Sequence, residues 1–257
     1  MTIDYSEPPS TGEDSPARQP HAILDRDSRV LKARKIAALV GGDRFRDARR
    51  ILEVGCGSGI ISSKLAEISE ESTRVFAVDV VDNRTEFSGY HFQVVSDTQL
   101  PFPDDYFDIV ITNHVIEHVG NEAEQKKHLH EIGRVVNSTG IVYLAVPNKW
   151  RMIEPHYRLP LLSWLPRRFS HRYIRLTRRG GHYDCFPLSN LKARALFKAS
   201  NFSSRDVTCE AIRRTIEIEL VRSSVAQWIN RLTPNWALRI FMPVIPTFVF
   251  LLRPEKE

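Results

Sequence analysis

Residues 49–57, RRILEVGCG, lead into GIISSKLAEI (59–68) and then into TRVFAVDV (73–80). An apolar run that stops at glycines, a stretch whose apolar residues recur at helical spacing, and a second Val-rich run spell strand, helix, strand. Strands this continuously apolar are buried on both faces, so helices must cover both sides of the sheet they form. The alternation continues outward. HFQVVSD (91–97) reads as a third strand, FDIVITNHV (107–115) as a fourth, Glu122 to Val136 as a helix and GIVYLAVPN (140–148) as a fifth strand. Further on, LSNLKARALFKASNF (188–202) reads as a helix, RDVTCE (205–210) as a strand, Ile212 to Leu232 as a helical stretch and TFVFLLRP (247–254) as the last strand.

The expected fold class is therefore α/β: a doubly wound, mostly parallel, seven-stranded Rossmann-like sheet. Ahead of it, Val30, Leu31, Ala33, Ile36, Ala37, Leu39 and Val40 have helical spacing that Gly41-Gly42 ends. Residues 1–27 are acidic and rich in Pro and Ser, with neither a basic n-region nor an apolar core, which predicts a disordered tail and no leader. Residues 28–257 form one expected domain, with a helical insertion at about 211–235. The stretch Ile240 to Leu252 is the most apolar, but it is too short for a membrane span and is broken by Pro243 and Pro246. It reads as a buried strand or an interfacial patch.

The pattern fails at 149–187, where four Pro, nine Lys and Arg and several aromatics stand together. This predicts an inserted basic, aromatic lid after the fifth strand. The chain has 257 residues and a net charge of +5, but residues 1–148 hold 16 Lys and Arg against 23 Asp and Glu, and residues 149–257 hold 20 against 8. A basic second half points to a phosphate-bearing partner or an anionic surface. Cys56, Cys185 and Cys209 are odd in number and widely spaced, which excludes a disulfide framework and predicts a reducing, cytoplasmic compartment.

In doubly wound sheets, ligands bind beyond the carboxyl ends of the strands. The first such loop, EVGCGSG, places Gly55, Gly57 and Gly59 before a helix, in the spacing G-x-G-x-G and with Ser62 at the third-glycine place. That is not a dinucleotide fingerprint, so a pyrophosphate is not required. Asp79 ends the second strand about twenty residues after the glycines, where a carboxylate accepts from ribose hydroxyls. A nucleoside is implied. The third loop holds Asp97 and Thr98, and the fourth Asn113 and His114.

Taken together, ILEVGCGSG, Asp79, VSDTQLPFPDDYFDIVITNHVIEHV and HEIGRVVNSTGIVYLAVPN resemble the class I S-adenosylmethionine-dependent methyltransferases, in the group that includes ubiquinone and menaquinone biosynthesis enzymes. The resemblance covers about residues 48–148 and is weaker beyond. It implies S-adenosylmethionine as cofactor, with Glu53, Gly55, Cys56, Gly57 and Gly59 at its methionine end. It further implies Asp79 on the ribose, Val80 on the adenine, Asp97 and Thr98 at the adenine amino group, and Asn113 at the methyl-transfer channel. Asn137-Ser138-Thr139-Gly140 departs from the family's Lys-Pro-Gly-Gly turn, which touches the turn and not the site.

A sulfonium methyl is already activated, so the protein must align the acceptor and, for a hydroxyl, remove a proton. His114, His156 and His182 are the candidate bases, since histidine titrates near neutral pH. His118, in the E-H pair, is expected to be structural. Tyr157, Tyr183, Arg167 and Arg168 are candidate acceptor contacts, because Arg suits bidentate binding of phosphate. With neither H-E-x-x-H nor paired C-x-x-C, no metal is expected. The expected activity is O-methylation of a sugar or other hydroxyl on a small or lipid-linked acceptor, with a phosphate-bearing acceptor and peripheral membrane contact as the readings of the basic half. C-methylation of a quinone or prenyl substrate is the enzyme alternative. An RNA or protein modifier, or a silent binding protein, is the alternative of another class; no RNA-binding module or N-P-P-[YF] tetrapeptide supports nucleic acid.

Overall fold

The computed structural model describes residues 25–154, 156–220, 223–240 and 242–256. The tail expected at 1–27 lies outside them, except for its last three residues. Helices α1 (Arg26–Val40) and α2 (Gly42–Asp47) precede β1 (Arg50–Val54), α3 (Ile60–Ile68), β2 (Arg74–Asp79), β3 (His91–Val94), β4 (Phe107–Asn113), α4 (Glu122–Val135) and β5 (Val136–Pro147). There follow a small hairpin, β6 (Ile153–Glu154) and β7 (Leu159–Pro160), then α5 (Arg167–Leu176), α6 (Asn190–Lys198), β8 (Phe202–Asp206), α7 (Thr208–Glu219), α8 (Ser224–Leu232), α9 (Asn235–Ile240) and β9 (Thr247–Pro254).

The seven-stranded sheet runs β3-β2-β1-β4-β5-β9-β8, with only β9 antiparallel to its neighbours. The doubly wound α/β expectation is met. The strand order reverses between β1 and β4, and this switch point is where the loops after adjacent strands diverge and leave a crevice. Alternation along each strand divides the core between two faces. Leu52, Val110 and Val142 pack with Leu129 and Ile132 of α4 and Phe197 of α6. Ile51, Ile109 and Tyr143 pack with Ala33 and Ile36 of α1, Leu65 of α3 and Ala211 of α7. Glu53 shares the face of Ile51, and its carboxylate therefore points among the helices α1 and α3.

Two sequence expectations are corrected. The strand expected at 205–210 lies at Phe202–Asp206, and α7 begins at Thr208. The alternation of Val207 and Cys209 imitates a strand, but the Asp206 carboxylate accepts from the Thr208 N–H at 3.0 Å and starts a helix there. Phe202 is needed in the core, where it packs beneath Gly133 of α4. The helical stretch expected at 212–232 is two helices, α7 and α8, ending and restarting on either side of residues 221–222. Of the apolar C-terminal stretch, Thr247–Pro254 is the inner strand β9, flanked by β5 and β8, whereas Ile240 and Val244 are exposed. No described helix is long and apolar enough to cross a membrane.

Residues 149–187 form a unit with its own small core of Leu159, Leu162, Ile174, Tyr183 and Cys185. Its ends are tied down. Lys149 N–H donates to the Leu188 carbonyl at 3.1 Å, and Phe186 N–H to the Glu117 carbonyl at 2.7 Å. Gln125 of α4 donates to both the Phe186 and Ile116 carbonyls. The segment thus sits against the loop that follows β4.

Candidate functional site

The loop after β1 turns sharply because Gly55, Gly57 and Gly59 adopt φ of 74°, 54° and 75°, a region that costs L side chains about 1–2 kcal/mol. Two of the three are also fixed by space. A methyl group on Gly55 would overlap Val115, and one on Gly59 would overlap the Tyr90 hydroxyl and the Glu86 carbonyl. Gly55 and Cys56 N–H both donate to the Val78 carbonyl, at 2.8 and 3.2 Å, which draws the loop onto the end of β2.

Asp79 stands there with one carboxylate oxygen accepting from Gly57 N–H and the other from Val80 N–H, each at 2.7 Å. Two backbone donors orient it, and an oxygen with two acceptor sites keeps capacity for ribose hydroxyls. Val80 is partly exposed beside it. Asp97 is exposed at the end of the neighbouring strand and accepts from Gln99 N–H at 2.7 Å, with Thr98 alongside. Asn113 ends β4, buried, on the same face as Glu53. The loops therefore bring the ten residues expected at the cofactor to adjoining strand ends, and the donor and acceptor set fits a nucleoside with a cationic tail.

Glu53 is 1% exposed, and burial pushes its carboxyl up to about 7 although Ser62 Oγ donates to it and Arg29 of α1 draws it down. A buried carboxyl of this kind seeks a cation. Cys56 is buried, and burial with the Glu53 and Asp79 carboxylates drives its thiol far up, so it fills space and is no nucleophile. Sequence reasoning missed α1 as a wall of the site. Lys32, held down to about 8 by burial and by Arg29 and Lys35, also senses Glu53, and His114 senses Lys32. Only the amphipathic spacing of α1 was visible in the sequence.

His114 directly follows β4 with φ of 61°, a strained left-handed conformation for a residue other than glycine. Its N–H is used by the Ala145 carbonyl at 2.9 Å, and its Nδ1 lies 3.3 Å from Glu117 Oε1. Glu117 is fully buried, and burial alone would raise its carboxyl; the imidazoles of His114 and His118 outweigh this and hold it down. Burial in turn lowers the His114 pKa against the pull of Glu117. An imidazole steered by a buried carboxylate has the geometry of a base and its orienting partner.

The other candidates lie in the 149–187 segment. His156 Nδ1 is 2.9 Å from Glu154 Oε1, and Glu154 also takes Arg151 and, at 2.8 Å, the Tyr157 N–H. Tyr157 donates to the His182 carbonyl at 2.7 Å, and Tyr183 is buried in the segment's core. His182 is exposed and stacks on His171, ring centroids 4.1 Å apart. Arg167 stacks on the Phe186 ring at 3.7 Å and donates to the Tyr183 carbonyl at 2.8 Å. Arg168 is exposed, together with Arg172 and Arg175 of the same helix. Among the described residues, one group could hold a metal ion: His118, His156 and Cys185, with ligand atoms all within 4.8 Å of one another.

A family model described as "Methyltransferase domain" matches residues 52–144, from the middle of β1 through most of β5. These residues are similar to a methyltransferase domain. A probable S-adenosylmethionine-dependent methyltransferase of Mycobacterium tuberculosis is 30% identical over 107 residues, 40% of this chain and 37% of its own. A ubiquinone biosynthesis O-methyltransferase of Rhizobium rhizogenes is 27% identical over 138 residues, 50% of this chain and 54% of its own. The chain thus spans about a third to a half of the length of these curated relatives. A S-adenosylmethionine-dependent methyltransferase from Archaeoglobus fulgidus superposes with a TM-score of 0.54 at 16% identity, covering 89% of this chain and 94% of its own, a likeness of fold. The matched stretch contains the whole glycine loop, Asp79, Asp97, Asn113 and His114, while the 149–187 segment lies outside it.

Proposed function

We propose that the protein is an S-adenosylmethionine-dependent methyltransferase that methylates a hydroxyl group. The observation that carries this reading is the glycine loop at the switch point, closed between the twice-bonded Asp79 and the buried Glu53 within the matched methyltransferase domain. When bound, the cofactor supplies a methyl group already activated on a sulfonium. Asp79 holds the ribose hydroxyls, Asp97 and Thr98 face the adenine edge, Val80 packs on its ring, and Glu53 supplies negative charge near the cationic methionine end. Asn113 and His114 stand at the acceptor side of the same crevice.

His114 removes the acceptor's proton, with the buried Glu117 carboxylate 3.3 Å from its Nδ1 balancing the imidazolium that results. His114 can take the proton that a hydroxyl loses on methylation, and O-methylation is supported by the Rhizobium relative, itself named an O-methyltransferase. The 149–187 segment serves as the lid. Its outer surface exposes Trp150, Met152, Ile153, Trp164 and Phe169 beside Arg168, Arg172 and Arg175. Apolar bulk next to Arg suits a lipid-linked, phosphate-bearing acceptor presented at an anionic surface. Arg167, bound to its own segment, supports the lid's shape.

The test joins calorimetry to a screen with labelled methyl donor. The chain is expected to bind S-adenosylmethionine, and Asp79→Ala and Gly57→Arg to abolish binding. Label is expected in an O-methyl product. Unchanged binding in both variants would remove the cofactor assignment, full turnover by His114→Ala would remove His114 as the base, and label in a C-methyl product would transfer the preference to carbon.

A further inference from the structure

We propose that His118, His156 and Cys185 form a three-ligand site for a zinc-like divalent cation that fastens the 149–187 segment onto the loop after β4. The inference shares Glu117 and the 149–187 segment with the methyl-transfer reading, but it does not rest on that reading, because neither the glycine loop nor His114 supplies a ligand. Cys185 Sγ lies 3.8 Å from His118 Nδ1 and 3.7 Å from His156 Nδ1. Around tetrahedral zinc, with Zn–S about 2.3 Å and Zn–N about 2.0–2.1 Å, sulfur and nitrogen ligands stand about 3.5 Å apart. Contraction of the two S···N distances by a few tenths of an ångström reaches that spacing, and all three ligand atoms lie within 4.8 Å of one another. The His118 and His156 rings are 5.2 Å apart and inclined at 73°, so they approach the sulfur from different directions rather than stacking.

The thiol is fully buried while both imidazoles are partly exposed, so the cluster has a route in from solvent. Its surroundings are those of a ligated cation. The other nitrogen of His118, Nε2, faces Glu117 Oε1 at 3.9 Å, the carboxylate–histidine arrangement that orients a metal-bound imidazole. Glu117 is fully buried, and its oxygens accept no well-aligned hydrogen bond among the described residues. Asp184 Oδ1, 3.6 Å from Cys185 Sγ, or a water completes four-coordination.

Binding moves protons in a defined way. Cys185 releases its thiol proton to solvent. His156, which donates from Nδ1 to Glu154 in the ion-free form, shifts its proton to Nε2 and offers the Nδ1 lone pair. Glu154 remains satisfied by Arg151 and the Tyr157 N–H. A soft thiolate with two imidazoles selects zinc or cobalt over calcium or magnesium.

The experiment uses the full chain, free of any polyhistidine tag, stripped with chelator and titrated with Co²⁺ and then Zn²⁺. One equivalent of Co²⁺ is expected to develop tetrahedral d–d bands and a thiolate charge-transfer band, both displaced by Zn²⁺. Cys185→Ser is expected to lose the charge-transfer band and, like His156→Gln, to weaken binding at least tenfold; Cys209→Ser keeps both. Zn²⁺ is also expected to raise the melting temperature of the parent and to slow proteolysis within 149–187. Circular dichroism and S-adenosylmethionine calorimetry establish that each variant is folded, and the parent's own spectrum decides if one is not. No saturable one-equivalent binding by the parent, or a charge-transfer band that survives Cys185→Ser, would overturn the site and leave a hydrogen-bonded cluster only.

Discussion

The buried carboxyl of Glu53 makes a pH-dependent prediction that can be worked through. In the unfolded chain it titrates near 4.5, and in the folded protein at about 7. A raised pKa means that the folded state prefers the protonated form. This contribution is fully present below about pH 4.5, is lost as the pH rises toward 7, and is absent above it. The displacement of about 2.5 pH units corresponds to about 3 kcal/mol at about 1.4 kcal/mol per unit, an upper figure because Ser62 and Arg29 can readjust. Glu53→Gln accepts from Ser62 without ionising. The measurement is urea unfolding of parent and variant, both free of cofactor, at pH 5 and pH 8. Groups that titrate in both proteins cancel in the difference. The variant is expected to gain up to about 2.5 kcal/mol relative to the parent on going from pH 5 to pH 8. The same substitution is expected to weaken S-adenosylmethionine binding at pH 8, because the negative charge that faces the cationic tail is gone. A stability difference that is the same at both pH values within error would refute the claim that Glu53 is forced to carry unfavourable charge.

Three further outcomes follow from the geometry. Gly59→Ala is expected to destabilise the fold by about 2 kcal/mol or more, from its positive φ and overlap with the Glu86 carbonyl, as read by thermal and urea unfolding. His114→Ala is expected to lower kcat roughly 10²–10⁴-fold while calorimetric affinity for the cofactor stays within about threefold, the range for loss of a general base. Replacing Arg168, Arg172 and Arg175 by Ala is expected to reduce binding to anionic vesicles about 100-fold at low salt, at about 1 kcal/mol per Arg, with the difference shrinking as salt rises. Equal binding of the triple variant would show that this face is merely solvated.

Much of the fold was legible because its determinants are local. RILEV, RVFAV and FDIVIT are dominated by Ile, Leu, Val and Phe at both odd and even positions, as strands covered on both faces must be, and the three glycines occupy positions where the backbone turns through positive φ. Asn121, whose side chain accepts from the Ala123 and Glu124 N–H groups, marks the start of α4 as its residue type suggests. The misplaced strand at 205–210 shows the limit of local reading. Val207 and Cys209 alternate like strand residues, and the choice of helix rests on the Asp206 carboxylate accepting the Thr208 N–H and on Phe202 filling space beneath α4.

By itself, then, the sequence determined the alternation of strands and helices, the position of the glycine loop, and which acidic residues end the strands beside it. Each depends on residues within one or two turns of one another. Only the tertiary structure decided that Arg29 and Lys32 attend Glu53, that Arg167 braces its own segment, and that His118, His156 and Cys185 converge. Those partners are separated along the chain by between 16 and 67 positions. Side chains so far apart meet only when the crossovers of a doubly wound sheet, and the packing of the inserted segment on the loop after β4, bring separate loops to the same edge.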